Sequence, residues 1–108
     1  MSQPLSIGRV VHYTLSEHDA EQINRRRNDF RKFLKNHIAN NTYPMDGYVA
    51  HVGNDVKAGD QYPAMIVRVF QPANSCNLQV FLDGTDSFWA CSVSEGEGGR
   101  HWNWPPRV

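Results

Sequence analysis

Between Ile7 and Leu15 apolar and polar residues alternate, with Val11, Tyr13 and Leu15 on one face and Val10, His12 and Thr14 on the other. This period of two predicts a β-strand, opened by Gly8. Ser16 then fits the N-cap of a helix. Its hydroxyl can accept from the amide of Asp19, whose carboxylate can accept from the amide of Ser16, and Leu15 can staple onto Ala20. Ala20, Ile23, Phe30, Phe33, Leu34 and Ile38 keep helical spacing, but Asn24 to Asp29 is wholly polar. A turn without an apolar anchor predicts a kink or break near Asn28, and so either one bent helix or two short ones ending near Ala39. Asn40 to Thr42, Pro44 and Gly47 close the helix and turn the chain into a short strand over Tyr48 to Val52. A polar excursion from Gly53 to Tyr62 precedes the most β-like run, Pro63 to Phe70, in which Met65, Val67 and Val69 oppose Ile66 and Arg68. Pro63 suits a first strand position, where a missing ladder donor is tolerated.

The chain is organised around the segment Asn77 to Val93, two β-rich runs flanking Asp83-Gly84. Glycine, and Asp better than most residues, tolerates the positive φ of a two-residue hairpin turn, so a tight hairpin is expected. Both arms are apolar on both faces: Val80 and Leu82 oppose Phe81, and Phe88 opposes Trp89. One face belongs in the core. The other needs a cover, whether the helix, a second subunit or a flat aromatic ligand. After the glycine-rich Glu95 to Gly99, the tail Arg100 to Pro106 is expected to be extended, with Trp102 and Trp104 on a common side. Strand, helix and four more strands make an α+β fold, a mostly antiparallel sheet of about five strands with a bent helix or two short helices after the first strand.

With 108 residues this is one domain, 1–108, able to bury a core without staples. Its net charge of +0 excludes an overall electrostatic fit to duplex nucleic acid. The charge is unevenly placed, however. Six of the eleven basic residues, Arg25, Arg26, Arg27, Arg31, Lys32 and Lys35, fall in one helical stretch. Cys76 and Cys91 lack zinc-site spacing, and no metal or other cofactor is expected. The N-terminus has no signal-peptide pattern, and Arg68 interrupts the most apolar run, so a soluble, intracellular protein is expected, without membrane association.

Two features carry candidate chemistry. Successive helical residues sit ~100° apart, so Arg25, Arg26 and Arg27 fan around the helix and at least one must face the body of the protein or a partner. Guanidinium forks match phosphate oxygens, and Asn24 stands beside them. The commoner fate is a solvated face offset by Glu17, Glu21 and Asp29. The second feature is aromatic: Phe81, Phe88, Trp89, Trp102 and Trp104 lie in the last third of the chain and could stack on a base, although core packing is commoner. Asp83 and Asp86 suggest a carboxylate pair, or turn residues bonding their own backbone. The histidines His12, His18, His37, His51 and His101 have no chelating spacing, and no serine or cysteine sits in a nucleophile motif. No catalytic residue is assigned.

The segments Gly8-x-Val10-Val11-His12-Tyr13-Thr14-Leu15, Asp19-Ala20-x-x-Ile23-Asn24-Arg25-Arg26-Arg27, Pro63-x-Met65-x-Val67-Arg68-Val69, Gln79-Val80-Phe81-Leu82-Asp83-Gly84-x-Asp86-x-Phe88-Trp89 and Trp102-x-Trp104-Pro105-Pro106 resemble a family of small phage-encoded proteins. Within that group the chain is similar to the phage Thoeris anti-defence sponges. The resemblance implies a non-enzymatic protein of the infected host cytoplasm that sequesters cyclic nucleotide signals of the cyclic ADP-ribose type or cyclic oligonucleotides. It also implies a homo-oligomer built on dimers. It places no binding residue one by one. The expected ligand site, Asn24, Arg25, Arg26, Arg27, Phe81, Asp83, Phe88, Trp89, Trp102 and Trp104, rests on the chemistry above. The rival readings are a protein-interaction module, marked by an apolar patch without a cationic pocket of phosphate size, and a small enzyme using His12 or an Asp.

Overall fold

A computed structural model describes residues 4–39, 54–84 and 86–106, backbone alone over 34–39. Its elements are β1 (Val10–Thr14), α1 (Glu17–Ala39), β2 (Gln61–Phe70), β3 (Ser75–Phe81), β4 (Ser87–Val93) and β5 (His101–Asn103). The strands form one antiparallel sheet in the order β4-β3-β2-β1-β5. The expected α+β architecture is present. The strand expected over Tyr48 to Val52 lies outside the described residues, and the fifth described strand is instead built from the tryptophan-bearing tail.

Alternation decides what each strand buries. Inward side chains stack in cross-strand rows: Val11, Ala64 and Val80; Ile66, Leu78 and Ala90; Cys76 and Val93; and Tyr13 with Trp102, all buried. The sheet curls until its two ends meet. Trp102 donates its amide to the carbonyl of Ser94 at 3.3 Å and its indole N–H to the carbonyl of Val93 at 3.2 Å, while Gly96 donates back to Trp102 at 3.1 Å. Trp102 is therefore a closure residue in the core. Trp104 packs edge to face on it with ring centroids 5.3 Å apart, which keeps the two rings on the common side expected.

The cap of α1 forms as the sequence predicts. Asp19 donates its amide to Ser16 Oγ at 3.1 Å, and Ser16 donates its amide to Asp19 Oδ2 at 3.1 Å. Tyr13 also donates its hydroxyl to that carboxylate oxygen at 2.6 Å, tying the cap to the core. Burial first, and this bond second, push the phenol well above its usual pKa. The Leu15 backbone and Ser16 leave no room opposite Gly99, where a Cβ would stand 2.7 Å from Ser16 Cα.

Three expectations about local geometry change. The helix does not break at Asn28 but runs unbroken from Glu17 to Ala39, because polar side chains anchor the turn that lacks apolar ones. The β3–β4 connection is wider than a two-residue turn: Phe81 pairs with Ser87, and Asp83 and Asp86 between them are bound by an arginine of α1. In β2, a register shift between Ile66 and Arg68 interrupts strict alternation. Alternation with Ala64 and Ile66 leaves Met65 and Val67 exposed, and past the shift Val69 packs against the core instead of sharing their face.

Candidate functional site

Arg27 is the side chain that explains the polar gap. It lies on the inward stripe with Ala20 and Ile23 and is 2% exposed. Its guanidinium is saturated by acceptors. Nη2 donates to Asp86 Oδ1 at 3.0 Å and to the carbonyl of Asp83 at 3.2 Å, Nε donates to Asp86 Oδ2 at 3.3 Å, and Nη1 donates to the carbonyl of Asn54. Arg26, about half exposed, shares Asp86 at 2.9 Å and also donates to the carbonyl of Ser87 at 3.0 Å. Burial alone would raise the Asp86 pKa. The hydrogen bond and charge of Arg27, helped by Arg26, outweigh it and hold the carboxyl below the usual value.

Asn24, one turn earlier, clasps the backbone of Val56: its Nδ2 donates to the Val56 carbonyl at 2.8 Å and its Oδ1 accepts the Val56 amide at 2.9 Å. Asn24 and Arg27 thus take the places of apolar anchors. Their hydrogen-bonding capacity is spent inside the protein, so they are structural. Asp83 contributes a backbone carbonyl to the same clamp and is itself exposed.

The remaining expected site residues do not converge on one place. Arg25 is exposed, and with Arg26, Gln22, Ile23, Asp29 and the half-buried Phe88 it lines an open groove of about 390 Å³ between α1 and β4. Asp29 is the one carboxylate in its lining, and Asp86 beside it is shared by Arg26 and Arg27. Three guanidiniums thus stand against two carboxylates around the groove. Trp104 is half-buried beneath the Arg9 guanidinium, 4.8 Å above its ring, at the opposite end of the chain's closure. Trp102 is inside the core.

Phe81 and Trp89 are elsewhere again, on the outer face of the sheet, 46% and 56% exposed. The strand register sets Val10, Met65, Gln79 and Trp89 in one continuous row across four strands, with Phe81 two residues along β3 from Gln79 on the same face. Val10 and Met65 are exposed as well. The row is half legible in the sequence: the two-faced hairpin arms point to Phe81 and Trp89, while the place of Val10 and Met65 beside them follows only from the register between strands. These side chains make an exposed apolar row on an otherwise hydrogen-bonded sheet. Among the described residues no group of His, Cys, Asp and Glu could hold a metal, and no helix is long and apolar enough to cross a membrane. Compared with family models, curated proteins and solved structures, the chain matches none.

Proposed function

We propose that this chain is a non-enzymatic interaction module that works through the outer face of β2, β3 and β4. One observation carries the reading: Trp89 and Phe81, held on rigid strands, stand largely in solvent beside Met65 and Val10. An exposed tryptophan loses little side-chain freedom on binding and buries a large area, which is why such residues dominate interfaces. The clamp chemistry supports the same reading from the other side, because Arg27 is buried with its guanidinium bound to Asp86 and Arg26 already donates to Asp86 and to the carbonyl of Ser87. The test is the double variant Trp89→Ser/Phe81→Ser, expressed in the cell in which the chain works. Specific co-purifying partners should be lost while the melting temperature stays within a few degrees; an unchanged set of partners refutes the reading.

A second reading keeps a specific observation in its favour. The groove bearing Arg25, Arg26 and Phe88 brings three of the expected ligand residues together, and its volume lies in the range of small-molecule sites. The resemblance to the Thoeris sponges suggests sequestration of a cyclic nucleotide, and the groove itself offers Phe88 to a base and Arg25 to a phosphate. Calorimetry with cyclic ADP-ribose decides it: binding lost in Arg25→Ala, with the ligand recovered intact after heat denaturation, would restore the sponge.

A further inference from the structure

From the outer sheet face we infer that its occupant is an α-helix of a partner protein, laid along β2 and β3 between Val10 and Trp89; the inference rests on the docking role proposed for that face. What the face lacks decides the form of the occupant. β2 and β3 are interior strands, and their amides and carbonyls are taken up in ladders on both sides. An extended segment needs a free strand edge to satisfy its own backbone. At β4 that edge is obstructed: the carbonyl of Ser87 accepts from Arg26, that of Cys91 from Arg100 at 3.2 Å, and that of Val93 from the indole of Trp102. Side-chain donors on an edge suppress pairing with another strand. The β5 end is joined to Ser94 and Gly96 through Trp102. A segment that covers Met65, Phe81 and Trp89 must therefore bond its backbone internally, as an α-helix does.

The dimensions and charges agree. The row Val10, Met65, Gln79 and Trp89 crosses four strands and so measures about 14 Å. A helix with its side chains is about 10–12 Å across, so one lying over β2 and β3 fits between Val10 and Trp89. Val10, Met65, Val67, Gln79, Phe81 and Trp89 include no charged residue. The helix face that meets them is therefore an apolar stripe, with a polar side chain only opposite the Gln79 amide. A single-stranded nucleic acid can stack on Trp89 and Phe81, but it brings a phosphate with every nucleotide to a row without a cation. Charge stands at the two ends of the face instead. Past Val67, Val69 packs against the core and Arg68 is exposed, its guanidinium over the Phe70 ring at 5.3 Å. Past Phe81, Asp83 is exposed. A helix is partially positive at its N-terminus and partially negative at its C-terminus, so its start belongs beside Asp83 and its end beside Arg68.

Photo-cross-linking in the cell in which the chain works tests form and direction together. Phe81 follows Val80, which pairs with Ala64, and Val67 follows Ile66, so the two stand about 13 Å apart on the face at the rise of a strand. Benzoylphenylalanine placed at Phe81 and, separately, at Val67 should cross-link to one segment of one partner protein. The two points should lie about nine residues apart if that segment is helical, against about four if it is extended. The point reached from Phe81 should come first in the partner's sequence. Trp89→Ser should remove both cross-links while the melting temperature stays within a few degrees. Points about four residues apart, the reverse order, or cross-links to nucleic acid, to a glycan or to a second copy of this chain overturn the inference and leave the face as a docking surface with another occupant. Cross-links that survive Trp89→Ser, or none from either position in a chain of unchanged melting temperature, remove the docking role as well.

Discussion

Replacing Asp86 by Ala isolates the clamp that holds α1 against the β3–β4 connection. Arg27 would stay buried with its charge uncompensated, and removing one partner of a buried pair ordinarily costs about 3–5 kcal/mol. Two features reduce that here. Asp86 is 29% exposed, so water can reach part of the vacated site, and Arg27 keeps the carbonyls of Asn54 and Asp83. We therefore expect a loss of about 2–3 kcal/mol. Arg26→Ala, which removes a half-exposed partner of the same carboxylate, should cost no more than about 1 kcal/mol. In urea denaturation the first loss shifts the midpoint by about 1–2 M. A double-mutant cycle of Arg27→Met with Asp86→Ala should return strong coupling, and the cycle with Arg26 little.

The clamp also fixes a direction in pH. Asp86 binds its proton less readily folded than unfolded, so the unfolded state takes up more protons in the acid range and stability rises with pH there. The contribution is fully present above the unfolded value near pH ~4 and is lost as pH falls through the depressed folded value. Asp86→Ala should flatten that part of the stability profile. If Asp86→Ala costs no more than Arg26→Ala, or leaves the acid profile unchanged, the buried clamp is not what anchors the helix.

Asn24→Ala deletes both hydrogen bonds to Val56 and should cost about 1–3 kcal/mol in the same urea assay, since the Val56 amide and carbonyl lose their partners. Gly99→Ala forces a Cβ against the Ser16 backbone, and a loss of about 1–3 kcal/mol is expected as overpacking, read as a lower melting temperature. Burial pushes the Cys76 thiol up to about 11, so at pH 8 iodoacetamide should modify the partly exposed Cys91 in the native protein and Cys76 only after unfolding, counted by intact mass.

Where local chemistry decides, the residues announced the structure. Ser16 and Asp19 form the reciprocal cap that their spacing predicts, and the alternation of Val11, Tyr13 and Leu15 buries those three side chains as it implies. Where distant residues decide, the local pattern misleads for a definable reason. The gap from Asn24 to Asp29 predicts a break only if anchors must be apolar. Asn24 and Arg27 occupy the inward stripe at i+1 and i+4 from Ile23, and their partners Val56 and Asp86 are far away in sequence. The Asp83-Gly84 pair predicts a tight turn from its own preferences, but Asp86 and the carbonyl of Asp83 are drawn to Arg27, and the loop widens to serve that ion pair.

The same contrast governs where function is sought. The Arg25-Arg26-Arg27 triplet invites a phosphate because its charges are adjacent in sequence, yet the helical fan points one arginine into the body, one along the surface and one into solvent, and a single aspartate occupies the first two. A cluster of charge in sequence is thus dispersed in space. The outer face works the other way: Val10, Met65, Gln79 and Trp89 come from four separate strands and are brought into one row by the register alone. The inward rows consume the other faces of these strands and the helix covers the seam beside Phe88, so no described element lies over this row. An aromatic side chain fixed on a rigid strand gains most from a partner that removes it from water, and that is why the exposed row, rather than the arginine run, is the surface on which the function of this chain should be tested first.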